Sequence, residues 1–138
     1  MGIKQISVFL ENTTGRLGEV TKTLAQANVS IRAISIADTA EFGVLRLIVD
    51  NCDAAVKTLS EKNFTVRVTD VVAVEIDDNP GSLARVMEIF QNLKINIEYL
   101  YASLEGKAGK AVVIFKLEDY GKGIEIIKEN RLTTVESF

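Results

Sequence analysis

In "IKQISVFL", Ile6, Val8 and Leu10 recur at every second position, the period of a strand with one face buried. Beyond Gly15 the spacing changes to three, four and three through Leu17, Val20, Leu24 and Ala27, which places one apolar stripe on a helix. "VSIRAISIA" and, after a turn, "GVLRLIVD" are rich in β-branched residues and read as strands. A second helix is expected at "AAVKTL", with Asp53 as its N-cap and Asn63 beyond its end. "FTVRVT" then reads as a closing strand.

The same order is written a second time. Val8, Gly15, Leu17, Val20 and Ile31 reappear as Val74, Gly81, Leu83, Val86 and Ile97, a constant shift of 66. The shift then becomes 68, so that Val44, Leu45 and Val49 fall against Val112, Val113 and Leu117. The two extra residues sit in "LEGKAGK", which reads as a hairpin tip, where insertions are tolerated. The second copy thus predicts a helix over Leu83, Val86, Met87, Phe90 and Leu93, strands at "INIEYLYAS" and "KAVVIFKLE", a helix at "GIEIIKEN" and a last strand at "TTVESF".

Strand–helix–strand–strand–helix–strand is the ferredoxin-like βαββαβ arrangement, an α+β fold with both helices on one face of an antiparallel sheet. The copies divide the chain at 1–69 and 70–138, and in "TVRVTDVVAVEI" only Thr69-Asp70 separates the last strand of one from the first of the other. Two modules paired through a continuous eight-stranded antiparallel sheet, with helices on one face, are therefore expected.

Composition narrows the chemistry. The chain has 138 residues, a net charge of −3, no histidine and one cysteine, Cys52. Zinc sites of the usual kinds, Ser–His–Asp triads, Cys–His pairs and an internal disulfide are all excluded, so no metal, cofactor or catalytic residue is expected. Asp77 and Asp78 are the nearest thing to an acid/base pair, and adjacent loop carboxylates are ordinarily solvated or capping. The acidic balance argues against nucleic acid and against an anionic membrane as partners. "MGIKQISVFL" carries no long apolar run, and a cytoplasmic location is expected.

Two stretches remain, "ENTTGRL" and "DDNPGSL", each joining a strand to a helix. The plainer reading makes them helix starts, with Asn, Thr, Asp or Ser satisfying the first N–H groups and Gly permitting the turn. The alternative uses the same atoms differently. Free N–H groups and the positive end of the helix dipole receive a carboxylate, and the Asn or Asp side chains receive an ammonium group. Such a loop suits a zwitterion. Gly15-Arg16-Leu17-Gly18 has neither the length nor the Lys-Ser/Thr ending of a nucleotide P-loop.

Gly-x-Leu-x-x-Val, a helix, then "NVSI" or "KINI" entering a strand, all within βαββαβ, resembles the ACT domain over both halves of the chain. "DDNPGSL" has the family's Asp-x-Pro-Gly-x-Leu opening, whereas "ENTTGRL" lacks the proline. The resemblance implies a regulatory module that binds a small ligand, usually a free amino acid, between paired modules. The strand-to-helix loop of one module and the second strand of its neighbour would form each site. One pocket would then use Asn12, Thr13, Thr14, Gly15, Arg16 and Leu17 with Ile97, Tyr99 and Tyr101. The other would use Asp78, Asn79, Pro80, Gly81, Ser82 and Leu83 with Ile31, Ala33 and Ser35. Arg16 and the tyrosines would set the first pocket apart, Asp77 and Asp78 the second. Because Tyr99 and Tyr101 alternate with Leu100, a simpler reading has only one of them facing a pocket, the other packing on helices or an oligomer surface. A non-catalytic sensor with a regulated enzyme or regulator as partner, as a homodimer, is expected. The competing expectation is an oligomerisation or scaffolding subunit of an amino-acid-metabolism enzyme, with no ligand of its own.

Overall fold

The computed structural model describes residues 2–38, 41–104 and 106–138. They form two compact units, Lys4–Thr69 and Asp70–Phe138, the second also holding Gly2 and Ile3. The first unit comprises β1 (Ile3–Glu11), α1 (Arg16–Gln26), β2 (Ile31–Asp38), β3 (Phe42–Val49), α2 (Cys52–Glu61) and the start of β4 (Thr65–Asp77). The second takes the rest of β4, then α3 (Ser82–Asn92), β5 (Ile97–Ala102), β6 (Lys110–Leu117), α4 (Tyr120–Glu129) and β7 (Thr133–Thr134).

Strand order is β2-β3-β1-β4 in the first unit and β5-β6-β4-β7 in the second, the same βαββαβ topology twice. Among the described residues there are seven strands rather than eight, because the closing strand of one copy and the opening strand of the other run together as the 13 residues of β4. Neither Thr69 nor Asp70 breaks the extended backbone, since both are assigned to that strand. The last strand is also shorter than "TTVESF" suggests. Only Thr133 and Thr134 pair with β4, opposite Glu75 and Val74, and Val135 N–H donates to the Ala73 carbonyl before the ladder ends.

Each unit has its own core on the helix side of its strands. In the first, Ile6, Val8, Leu10, Leu45 and Leu47 of the sheet meet Val20 and Leu24 of α1 and Ala55 and Leu59 of α2. In the second, Val72, Val74, Val113 and Phe115 meet Val86 and Phe90 of α3 and Ile126 and Ile127 of α4. The Phe90 and Phe115 rings, both fully buried, tilt against each other with centroids 5.6 Å apart. Burying an aromatic side chain of this size contributes about 1.5–3 kcal/mol relative to leaving it exposed. Thr23 is polar within the α1 stripe, and its hydroxyl is satisfied by donating to the Glu19 carbonyl at 2.7 Å.

All four helices end on a residue with positive φ: Asn28, Asn63, Lys94 and Arg131. Asn adopts the left-handed region readily, so the first copy uses a suitable residue twice. The second copy places Lys and Arg there, at greater conformational cost.

Candidate functional site

The two strand-to-helix loops are built alike. Asn12 N–H donates to the Glu41 carbonyl at 2.9 Å, and Asp78 N–H donates to the Gly109 carbonyl at 2.9 Å, equivalent positions in the repeat. A turn follows in which Arg16 N–H reaches the Thr13 carbonyl at 3.4 Å and Ser82 N–H the Asn79 carbonyl at 3.2 Å. Gly15, at φ 89° and ψ −10°, and Gly81, at φ 91° and ψ −12°, occupy the third place of these turns. Those angles are characteristic of a type II turn, which requires positive φ there and favours Pro at the place before. Pro80 is that residue in the second copy and Thr14 stands for it in the first.

The glycines, not the polar residues, are the N-caps. Among the described residues neither α1 nor α3 has a side-chain cap on its first N–H groups, which overturns the expectation that Asn, Thr or Asp side chains satisfy them. The other two helices are capped conventionally. Asn51 Oδ1 accepts from Ala54 N–H at 3.1 Å at the start of α2, and Asp119 Oδ1 accepts from Lys122 N–H at 3.0 Å at the start of α4. Asn51 thus takes the role expected of Asp53, which lies instead in the first turn, where its charge faces the positive end of the dipole. Among the described residues, a Cβ added at Gly15 or Gly81 would meet nothing within 4 Å. Among the described residues the N–H groups of Leu17 and Gly18, and of Leu83 and Ala84, have no partner at the positive ends of their helix dipoles.

Within the first unit, Asn12, Thr13, Arg16 and Leu17 line a cleft of about 230 Å³ with Ile36 of β2 and Gly43 of β3. Thr14 and Gly15 are exposed and do not line it. Within the second unit, Ser82 alone of the expected loop residues lines a cleft of about 220 Å³. Asp78, Asn79, Pro80 and Gly81 are exposed, and Leu83 is half-buried against the core. Both clefts are smaller than the roughly 300–1,000 Å³ of drug-sized sites.

The expected strand residues do not share one face. A β-bulge separates Ile31 from Ala33, and another separates Ile97 from Tyr99. Ile31 pairs with Val49 and Ile97 with Leu117, and both pack on the helix-side cores. Ala33 and Ser35 pair with Ile48 and Arg46, and Tyr99 and Tyr101 pair with Lys116 and Ile114, on the opposite side of the strands. Plain alternation would have kept Ile31 with Ala33, and Ile97 with Tyr99; the extra residue of each bulge switches the side. The two tyrosines lie together on the face away from Leu100, which pairs with Phe115. Tyr101 and Ala33 are buried, while Tyr99 and Ser35 are half-buried.

Charges expected to distinguish the loops are engaged locally. Arg16 lies over the Phe64 ring, 4.6 Å from its centroid, and its guanidinium donates to Glu19 at 2.8 Å. Asp77 pairs with Lys110, directly across the β4–β6 ladder. The hydrogen bond from Lys110, followed by its charge, holds the Asp77 carboxyl below its ordinary value and raises the Lys110 ammonium. At the start of α2, burial and then the Asp53 charge push the Cys52 thiol up, the opposite of what a nucleophile needs. Sequence reading missed Asn51, Asp119 and Phe64. The two caps were within reach, since each is an Asx three residues before its N–H donor; Phe64 acts through a contact that no local spacing signals.

Among the described residues no group of three or more His, Cys, Asp or Glu side chains is arranged to hold a metal ion, and no helix is long and apolar enough to cross a membrane. Residues 1–137 match the family profile described as an ACT domain pair. Protein BT0572 from Bacteroides thetaiotaomicron is 39% identical, with a TM-score of 0.92, over 98% of this chain and 92% of that one. The ligand-free regulatory subunit of aspartate kinase from Thermus thermophilus shares the fold, with a TM-score of 0.64 at 15% identity over 94% of this chain and 96% of that one. The corresponding subunit from Thermus flavus has a TM-score of 0.61 at 16% identity, over 89% of this chain and 86% of that one. Among curated proteins there is no match. On its sequence, from end to end, the chain belongs to the ACT-domain family, as a pair of ACT domains.

Proposed function

We propose that this chain is a non-catalytic, cytoplasmic regulatory protein that binds a free amino acid between its two ACT modules. The observation that carries the reading is the pair of helix starts left uncapped beneath Gly15 and Gly81. The α-carboxylate of the ligand accepts from the first free N–H groups of α1 or α3, and its ammonium group meets the polar side chains of the loop. The loop with Asn12, Thr13 and Leu17 would be completed by Tyr99 and Tyr101, and the loop with Asp78, Asn79 and Ser82 by Ala33 and Ser35. Ile31 and Ile97, packed into the cores, drop out of the proposed sites.

Regulation then follows from population shift: a ligand that contacts two modules favours the relative orientation that binds it best, and a regulated enzyme or regulator reads that orientation. The pockets are not equivalent, because two aromatic residues line one and two small residues the other. Calorimetry should resolve two affinities; equal affinities at two independent sites would contradict this. A homodimer is also proposed, supported by the exposed apolar side chains Phe9, Ile36 and Phe42 of the first unit, and sedimentation tests it.

Melting curves recorded with each common amino acid in turn test the ligand reading. Selective stabilisation by one of them is expected, since a ligand bound only by the folded state raises stability by mass action. No shift with any amino acid would favour the scaffolding alternative.

A further inference from the structure

The two units differ at one equivalent place. In the first, Arg16 fills the corner between the start of α1 and the start of β4 by lying over Phe64 and pairing with Glu19. In the repeat, these three residues correspond to Ser82, Leu132 and Arg85. The short serine cannot cross the gap, and the corner is open as the cleft of about 220 Å³.

Its lining has a definite chemistry. Ile76, Val86, Ile89 and Leu132 form an apolar floor. Arg85, Lys110 and Arg131 line the rim against Glu75 and Asp77, three cations against two carboxylates. Lys110 and Asp77 neutralise each other. Among the described residues, neither the Arg85 nor the Arg131 guanidinium has a hydrogen-bond or ion-pair partner; Arg85 acts on Asp77 only at longer range. One net positive charge over an apolar floor fits a monoanion with a short hydrocarbon tail. Guanidinium groups favour carboxylate because both are planar and form paired hydrogen bonds.

The geometry points to a second ligand site, contained wholly within the Asp70–Phe138 unit, that takes a small apolar monocarboxylate. The carboxylate sits at Arg85 and Arg131, with the Ser82 hydroxyl beside it, and the hydrocarbon lies on Ile76, Val86, Ile89 and Leu132. The site shares Ser82 with the proposed amino-acid grip, but Arg85 and Arg131 belong to this site alone.

Titration of the full chain with 3-methylbutanoate, acetate and inorganic phosphate, followed by amide NMR, tests it. The first should give saturable shifts at Ser82–Ile89 and at Leu132–Thr133, with acetate weaker and phosphate weaker still. Arg85→Gln and Arg131→Asn should each weaken 3-methylbutanoate by about tenfold or more, as expected for a lost hydrogen bond to a charged group. Arg131→Asn restores the residue type of the equivalent Asn63, which suits positive φ, so the fold is retained. Absence of saturable shifts, shifts unchanged in both variants, or phosphate binding as tightly as 3-methylbutanoate would overturn the assignment.

Discussion

Helices α2 and α4 begin under an Asx side chain that accepts from the first turn, whereas α1 and α3 begin under a glycine, which has no side chain to accept from it. All four occur in one small protein, two of each kind, at equivalent places in a duplicated chain. A start that only has to be stable is capped by its own sequence. A start that leaves its N–H groups open, in a turn needing positive φ and with free space above it, has the form of a binding element. The contrast is sharper than any single loop would allow, because each unit supplies its own control.

The largest expected effect comes from breaking an open start. Gly81→Val forces a β-branched residue to φ near 91° and should lower stability by about 1–3 kcal/mol, while abolishing amino-acid-dependent stabilisation at that site. Gly15→Val should do the same at the other site, and chemical denaturation with and without ligand separates the two losses. The capped starts should respond differently. Asn51→Ala or Asp119→Ala should cost about 1 kcal/mol with or without ligand, whereas Thr13→Ala and Asp78→Ala should change ligand-free stability by less than about 0.5 kcal/mol. If the loop variants cost as much as the cap variants, the loops are ordinary caps.

A smaller effect concerns the missing proline. Thr14 holds the place of Pro80, and its N–H has no partner among the described residues, so Thr14→Pro should stabilise by about 0.4–1 kcal/mol through the unfolded chain. Destabilisation would mean that the two turns differ in backbone despite their matching glycines.

The smallest is electrostatic. Asp77 titrates below its ordinary value in the folded protein, so its contribution is present above the unfolded carboxylate pKa and fades as pH falls through the folded one. Lys110 titrates above its ordinary value, so its contribution fades only as pH rises through that raised value. The pair is solvent-exposed, and the acid limb should be shallow. Lys110→Met should flatten it further between about pH 5 and pH 2. An unchanged acid limb would show that the pair does not differ between folded and unfolded states.

Much of this architecture is legible in the residues themselves. The change from period two to three-four spacing after Gly15 marks strand and helix, and the shift of 66 grows to 68 between β5 and β6, where the expected hairpin tip at "LEGKAGK" lies partly outside the described residues. Glycine, with or without a preceding proline, marks the open turns. The bulges at Ile31/Ala33 and Ile97/Tyr99 are not legible, because a bulge is set by pairing with a neighbouring strand rather than by residue type, and each moves one expected site residue into a core. The fate of Arg16 is equally hidden, since Phe64 lies far along the chain and meets it only after folding.

Amide NMR of the full chain, titrated with the amino acid that raises the melting temperature most, tests the central claim directly. The largest saturable shifts should fall on the open starts, at Leu17 and Gly18 or at Leu83 and Ala84, while Ala54 and Lys122 beneath their caps stay still. Shifts centred on the capped starts, or no saturable shift with any amino acid, would contradict it.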